Sequence, residues 1–218
     1  MKKKIGCLHA HYSNIDYIES VFSLYDLELR HYVDPGLIYV LQNDQVSVAE
    51  KRVKDQIQWM AQSGVDAILI TCTNYIALLK QFEVTIPIIK IDEPYFEALC
   101  KTQQPQTILF TNPDTVPGTM ARLHHYAKIQ QKTLDIEVKV IENTFQFIMS
   151  GEKEKYQTAV CDYIMQLDST RSLSVAQLSM VAAANQIEHE TSKTIINPLN
   201  TLISSMVSQL NLEKIAEQ

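Results

Sequence analysis

The stretch Val65-Asp66-Ala67-Ile68-Leu69-Ile70-Thr71-Cys72-Thr73-Asn74-Tyr75 constrains this chain more than any other. It follows a glycine, Gly64, runs through apolar residues without alternation, and delivers a cysteine just before a helix-like pattern resumes. An apolar run of this kind is what a strand buried on both faces requires, as in a parallel sheet covered by helices. Thr73 or Asn74 is a natural N-cap for the helix that follows. The thiol of Cys72 is therefore expected at the carboxyl end of a central strand, where open α/β sheets bind their ligands. Free N–H groups at the helix start are expected to favour its thiolate.

The bulk properties narrow the surroundings of that strand. A chain of 218 residues forms one large domain or two lobes. Its 46% hydrophobic and 20% charged residues exclude disorder and fibrous repeats. The net charge of -6 and scattered basic residues argue against a nucleic-acid partner. Lys2-Lys3-Lys4 leads straight into a strand rather than into the apolar stretch of a signal peptide, and no segment is long enough to span a membrane. Cys7, Cys72, Cys100 and Cys161 are widely spaced with no CxxC pair, which points to free thiols and a cytoplasmic location.

Taken in order, the pattern predicts a strand over Lys4–Leu8, then a helix capped by Ser13 or Asn14 with Ile15, Ile18, Val21 and Phe22 on one face. A strand over Leu27–Val33 follows, and Asp34-Pro35-Gly36 is expected to break the chain. Ser47-Val48-Ala49-Glu50 has the form of a capping box, opening a helix with Val53, Ile57, Met60 and Ala61 on one stripe and Gly64 as its stop. After the Cys72 strand come a helix over Ile76–Phe82, a strand over Ile86–Ile91 and a helix from Asp92-Glu93-Pro94 to Cys100. The polar segment Gln103–Gln106 resembles a linker.

Beyond it the order begins again. Strands are expected at Thr107–Phe110, Leu134–Ile141, Ser172–Ala176 and Thr194–Ile196. Helices are expected after the turn Thr111–Thr115, at Thr144–Met149, at Lys153–Leu167, and from Asn197-Pro198 through Leu210. Alternating strands and helices imply parallel βαβ units, so the fold class is α/β, with two pseudo-symmetric lobes each built on a parallel sheet flanked by helices. Residues 1–102 with 197–218 would form the first lobe and 103–196 the second. His9 precedes Cys72 by 63 positions and Thr111 precedes Gln177 by 66. Such lobes would face each other across a cleft lined by residues near 9–11, 72–75, 111–115 and 177–180.

Five pieces together resemble the aspartate/glutamate racemase superfamily, the cofactor-independent amino-acid racemases and their relatives. They are Ile5-Gly6-Cys7-Leu8-His9, Val33-Asp34-Pro35, Asp66 to Cys72, Ile91-Asp92-Glu93-Pro94 and Val175 to Met180. The resemblance implies a C-terminal helix folded back onto the first lobe, a small carboxylate or amino-acid ligand between the lobes, and no cofactor. Family members are often dimers, so a homodimer is one assembly the resemblance allows. In members that racemise, a cysteine from each lobe stands on either face of the substrate α-carbon. Cys72 matches the first. The second position holds Gln177, or Ser179 if the alignment shifts by two residues, and a carboxamide cannot exchange a proton under physiological conditions.

Three chemistries are therefore open to Cys72: a nucleophile adding to an activated double bond, a single base in racemisation or decarboxylation, or an idle thiol in a binding protein. His9, His11 and Glu93 are its candidate proton partners. His9-Ala10-His11 resembles a metal pair but shows no third ligand, so contact with a ligand carboxylate is expected rather than a metal. Thr73, Asn74, Thr111, Thr115 and Ser179 are expected to hold carboxylate oxygens, with Asn112 and Gln177 lining the same site. The runner-up is a regulatory or carboxylate-binding protein without catalysis.

Overall fold

The computed structural model describes residues 2–43, 45–79, 82–167 and 170–215. The chain divides into two compact units, Met1–Glu93 with Leu202–Gln218, and Pro94–Thr201. Each is an α/β unit with one four-stranded, wholly parallel sheet flanked by helices.

The first unit contains β1 (Lys3–His9), α1 (Asn14–Phe22), β2 (Leu27–Val33), α2 (Pro35–Gln42), α3 (Val46–Gln62), β3 (Ala67–Ile70), α4 (Thr73–Ala77) and β4 (Ile88–Lys90). Its strand order is β2-β1-β3-β4. The register sets Cys7 beside His31 and Leu69, and Leu8 beside Ile70. All four residues of β3 are fully buried, as their unbroken apolar run predicts. The two faces of the sheet are covered differently. Glu19 of α1 reaches His31 on the face shared by Cys7 and His9. A Cβ on Gly6 would meet Met60 of α3, Tyr32 and Val65 on the opposite face. The C-terminal segment returns to the edge of β2, where Lys214 bridges Tyr25 in antiparallel fashion.

The second unit repeats the plan with β5 (Gln106–Phe110), α6 (Val116–Ile129), β6 (Ile136–Val140), α7 (Phe145–Met149), α8 (Lys153–Gln166), β7 (Ser172–Val175), α9 (Val181–Glu190) and β8 (Ile195–Ile196). The order β6-β5-β7-β8 is the same arrangement one repeat later. Alternation along β5 divides its core. Ile108 and Phe110 pack with Tyr95, Phe96, Leu99, Met120 and Leu123, whereas Leu109 packs with Tyr156, Val160, Ile164, Val175 and Ile187. Helices α5 (Asp92–Lys101) and α10 (Pro198–Leu210) each run across the division of the chain. Asn197 Oδ1 accepts from Asn200 N at 2.9 Å, the cap expected at the start of α10.

Three local expectations are corrected. Asp34-Pro35-Gly36 does not merely break the chain. Pro35 sits at the first position of α2, where its missing N–H costs nothing, and a helix follows that shows no polar stripe in sequence. Ser47 does not cap α3, because the chain is helical from Val46 and Ala49 N already bonds Gln45 O. The helix after Cys72 starts at Thr73 and closes at Ala77, earlier and shorter than the apolar spacing suggests; Lys80 and Gln81 lie outside the described residues. No helix among the described residues is long and apolar enough to cross a membrane.

Gly64 follows the α3 cap residue Ser63 with φ +78, and a Cβ there would meet nothing within 4 Å. Its requirement is purely backbone. Gly64→Ala is expected to lower unfolding stability by about 1 kcal/mol and Gly64→Asn by less, read from urea denaturation midpoints.

Candidate active site

In both sheets the chain leaves the second strand position in opposite directions, so β1/β3 and β5/β7 each part at their carboxyl ends. Such switch points open a crevice at the sheet edge. In the first unit the residues there are His9, Thr71 and Cys72, and in the second Thr111, Asn112 and Gln177.

Cys72 ends the β3 segment in extended backbone and serves as the cap residue of α4, and its carbonyl accepts from Tyr75 N and Ile76 N at 3.1 Å. The thiol is half-buried and free. Burial pushes it up to about 11, although the backbone N–H groups of Tyr75 and Asn74 pull the other way, and the buried carboxylate of Asp92 raises it further. The expectation of a thiol acidified by its helix start is thus corrected. The pull of the helix start is present, but desolvation outweighs it. Thr73 and Asn74 form the first turn of α4, both half-buried.

Tyr75 is buried, and its hydroxyl donates to Asp34 O. Asp34 in turn receives both fork nitrogens of Arg52, Nε at 2.8 Å and Nη2 at 2.7 Å. A bidentate pair therefore anchors the turn behind Cys72. The neighbouring carboxylates divide their roles. Glu93, the residue singled out in sequence, pairs with Lys90 at 2.9 Å at the partly exposed end of β4, whereas Asp92 is buried and acts on Cys72.

The two histidines part company. His11 Nδ1 accepts from Ser13 N at 3.2 Å and lies 2.8 Å from Ser13 Oγ, with its ring against Tyr12. His9 is fully buried; its Nδ1 lies 2.9 Å from Thr71 Oγ1 and its Nε2 lies 2.8 Å from His31 Nδ1. Burial first, and then the nearby His31, lowers the pKa of His9 to about 4, so its ring is neutral at neutral pH.

In the second unit Gln177 ties the site residues into one network. Its Oε1 accepts from Thr111 N at 2.7 Å, Thr111 Oγ1 at 2.9 Å and Asn112 N at 3.1 Å. Its Nε2 donates to Thr115 Oγ1 at 3.4 Å, and Thr115 Oγ1 donates to Asn112 O at 2.9 Å. Asn112 Oδ1 accepts from Asp114 N. Proton positions follow from these bonds. The carboxamide oxygen only accepts, so the Thr111 proton points to it. Tyr156, 2.9 Å from Thr111 Oγ1, must then donate to that oxygen, and Ser179, 2.7 Å from the phenol, must donate to Tyr156. The hydroxyl protons of Thr111, Thr115 and Ser179 are therefore already committed within the unit.

The structure thus brings Thr111, Asn112, Thr115, Gln177 and Ser179 together around Tyr156, and Cys72, Thr73 and Asn74 together with Asp92. Sequence reasoning missed Tyr156, Asp92 and Arg52. Asp92 lay within a quoted motif, but only its burial distinguishes it from Glu93. Tyr156 bears no local signal, since it approaches Thr111 from the middle of α8. Tyr156→Phe strands the hydroxyl proton of Ser179 and an acceptor on Thr111. Chemical denaturation is expected to show a loss of about 1–3 kcal/mol.

No protein-family model matches the sequence, and no curated relative does either. Solved structures do. Picrophilus torridus aspartate racemase superposes with a TM-score of 0.75 at 11% identity, covering 98% of this chain and 96% of that one. Glutamate racemase from Francisella tularensis, determined in complex with D-glutamate, gives 0.66 at 12% identity over 96% and 81%. Allantoin racemase from Klebsiella pneumoniae gives 0.64 at 16% identity over 98% and 91%. The chain folds as the aspartate, glutamate and allantoin racemases of the aspartate/glutamate racemase superfamily do.

Proposed function

We propose that this chain is a cofactor-independent, racemase- or isomerase-like enzyme acting on a small carboxylate or amino acid, with Cys72 as its base or nucleophile. The observation that carries this reading is the setting of Cys72: a half-buried free thiol at the carboxyl end of a central strand and at the start of α4, whose Asn74 and Tyr75 N–H groups pull toward the thiolate. Donors aimed at a sulfur stabilise the negative charge it acquires when it works as a base or nucleophile. Thr73 and Asn74 would bind the ligand beside it, with His9, His11 and Glu93 nearby in the first unit. Thr111, Asn112, Thr115, Gln177 and Ser179 would make the contacts of the second unit. The racemase fold supports the class of reaction.

A single thiol changes the chemistry. The Gln177 carboxamide is too weak an acid to return a proton, and it is held by Thr111, Asn112 and Thr115. Proton return would then come from solvent or from the same sulfur. A second reading, ligand binding without turnover, is favoured by this locked carboxamide.

α-Proton exchange followed by NMR in deuterated water, over a panel of dicarboxylates, amino acids and hydantoins, separates the two. The enzyme reading expects exchange or isomerisation with at least one compound, reduced by about 100-fold to 10,000-fold in Cys72→Ala. Ligand-induced shifts without exchange would establish the binding reading. Exchange that survives Cys72→Ala would remove Cys72 as the catalyst.

The pH profile offers an independent check. With the thiol near 11, only roughly one molecule in a thousand is thiolate at pH 8. The rate is expected to rise about tenfold per pH unit between pH 7 and 10. A flat profile across that range would place the proton transfer elsewhere.

A further inference from the structure

Behind the β1/β3 switch point lies a cluster that the proposed reaction does not use. Cys7 and His9 are alternate residues of β1 and share a face, and His31 stands opposite Cys7 on β2. One ligand atom from each lies within 4.8 Å of the other two. Cys7 and His9 are fully buried, and the His31 side chain is 15% exposed on the edge strand, which leaves a path from solvent.

The hydrogen bonds around the two rings allow two placements of their protons. Thr71 Oγ1 accepts from Asn14 Nδ2 at 3.3 Å and lies 3.3 Å from Leu8 O and 2.9 Å from His9 Nδ1; when its proton points to Leu8 O, His9 Nδ1 carries the ring proton. At the other end His31 Nε2 lies 2.9 Å from the carboxylate of Glu19, which only accepts. In that tautomer both outer nitrogens carry protons. The inner pair, His9 Nε2 and His31 Nδ1, are then two ring lone pairs facing each other at 2.8 Å. That gap suits a cation, whereas in the other tautomer His9 Nε2–H donates to His31 Nδ1 and a hydrogen bond closes it. The sulfur of Cys7 adjoins the same place, and its hydrogen bond to Ile5 O is a weak one at 3.9 Å.

We propose that Cys7, His9 and His31 form a three-ligand site for a thiolate-preferring transition metal, zinc above all, with water in the fourth position. One soft sulfur and two imidazoles are a zinc donor set. The outer partners are those of metal-bound histidines: a hydroxyl oxygen able to accept stands at His9 Nδ1, and a carboxylate stands at His31 Nε2. Tetrahedral zinc with bonds of about 2.0–2.1 Å needs its two nitrogens roughly 3.3 Å apart. His31 accordingly moves outward by about half an ångström, which an edge strand permits. Binding exchanges the Cys7 thiol proton for the metal and releases it to solvent. The ion would fasten β1 to β2 and, through Glu19, to α1. His11 takes no part.

The test uses the full chain, stripped with chelator and titrated with cobalt(II) alone, then with zinc(II) in competition. One cobalt per chain is expected, with tetrahedral visible bands and a near-ultraviolet thiolate-to-cobalt band that zinc abolishes. Cys7→Ser should remove the thiolate band and Cys72→Ser should keep it. Glu19→Gln, an exposed change that tests the outer partner without disturbing the core, should weaken binding by about 10-fold to 100-fold. His31→Gln at the sheet edge serves if Cys7→Ser does not fold, and should abolish stoichiometric binding. Failure of the folded chain to take up cobalt or zinc stoichiometrically would overturn the proposal. A cobalt spectrum without the thiolate band, or one that follows Cys72 instead of Cys7, would do the same. In those cases a hydrogen bond from His9 Nε2 to His31 Nδ1 joins the two rings.

Discussion

Parallel pairing of the first strand of each unit with partners on both sides is the constraint on which the rest depends. Because β1 lies between β2 and β3, and β5 between β6 and β7, both strands must be apolar on two faces. Where the ladder ends, the backbone groups of departing segments need partners, and polar side chains supply them. The hydrogen-bonding side chains of the site cluster there for that reason: His9, Thr71 and Cys72 in one unit, Thr111 and Gln177 in the other. Chemistry and chain geometry have the same address in both repeats.

Within that frame, competition between burial and local dipoles decides what each group can do. At Cys72 the net result is a thiol at about 11 against an ordinary 9, on the order of 3 kcal/mol in favour of the neutral form. The two N–H groups of α4 soften this cost without reversing it. At His9 the same desolvation acts with the opposite sign, because there the charged form is the protonated one. One buried neighbourhood thus keeps both the sulfur and the imidazole neutral, and its reactivity has to be drawn out by a ligand or an ion.

Much of this was legible in the sequence, for physical reasons. The uniform apolar run of β3 specified a strand covered twice, and Gly64 marked the end of α3 because its φ demanded glycine. Gln177 and Thr111 could be placed together because the repeat put them at matching strand ends. What escaped notice depends on register and burial. His31 sits on an alternating strand, and only the pairing that sets it against Cys7 gives it a neighbour. Asp92 and Glu93 are adjacent carboxylates, and α5 buries one and exposes the other. Helix α2 lacks an amphipathic stripe, so a proline that opens it looked like one that ends a strand.

The directed chain of hydroxyls in the second unit has one more implication. Since Ser179 gives its proton to Tyr156, Tyr156 to Thr111 and Thr111 to Gln177, the series has a sense, like a row of dominoes leaning one way. All its hydrogens face inward, and its outer end at Ser179 presents lone pairs. At that end an approaching group meets a hydroxyl oxygen that can receive a hydrogen and has already given its own. An ammonium group suits that end, whereas a carboxylate would have to tip the whole row.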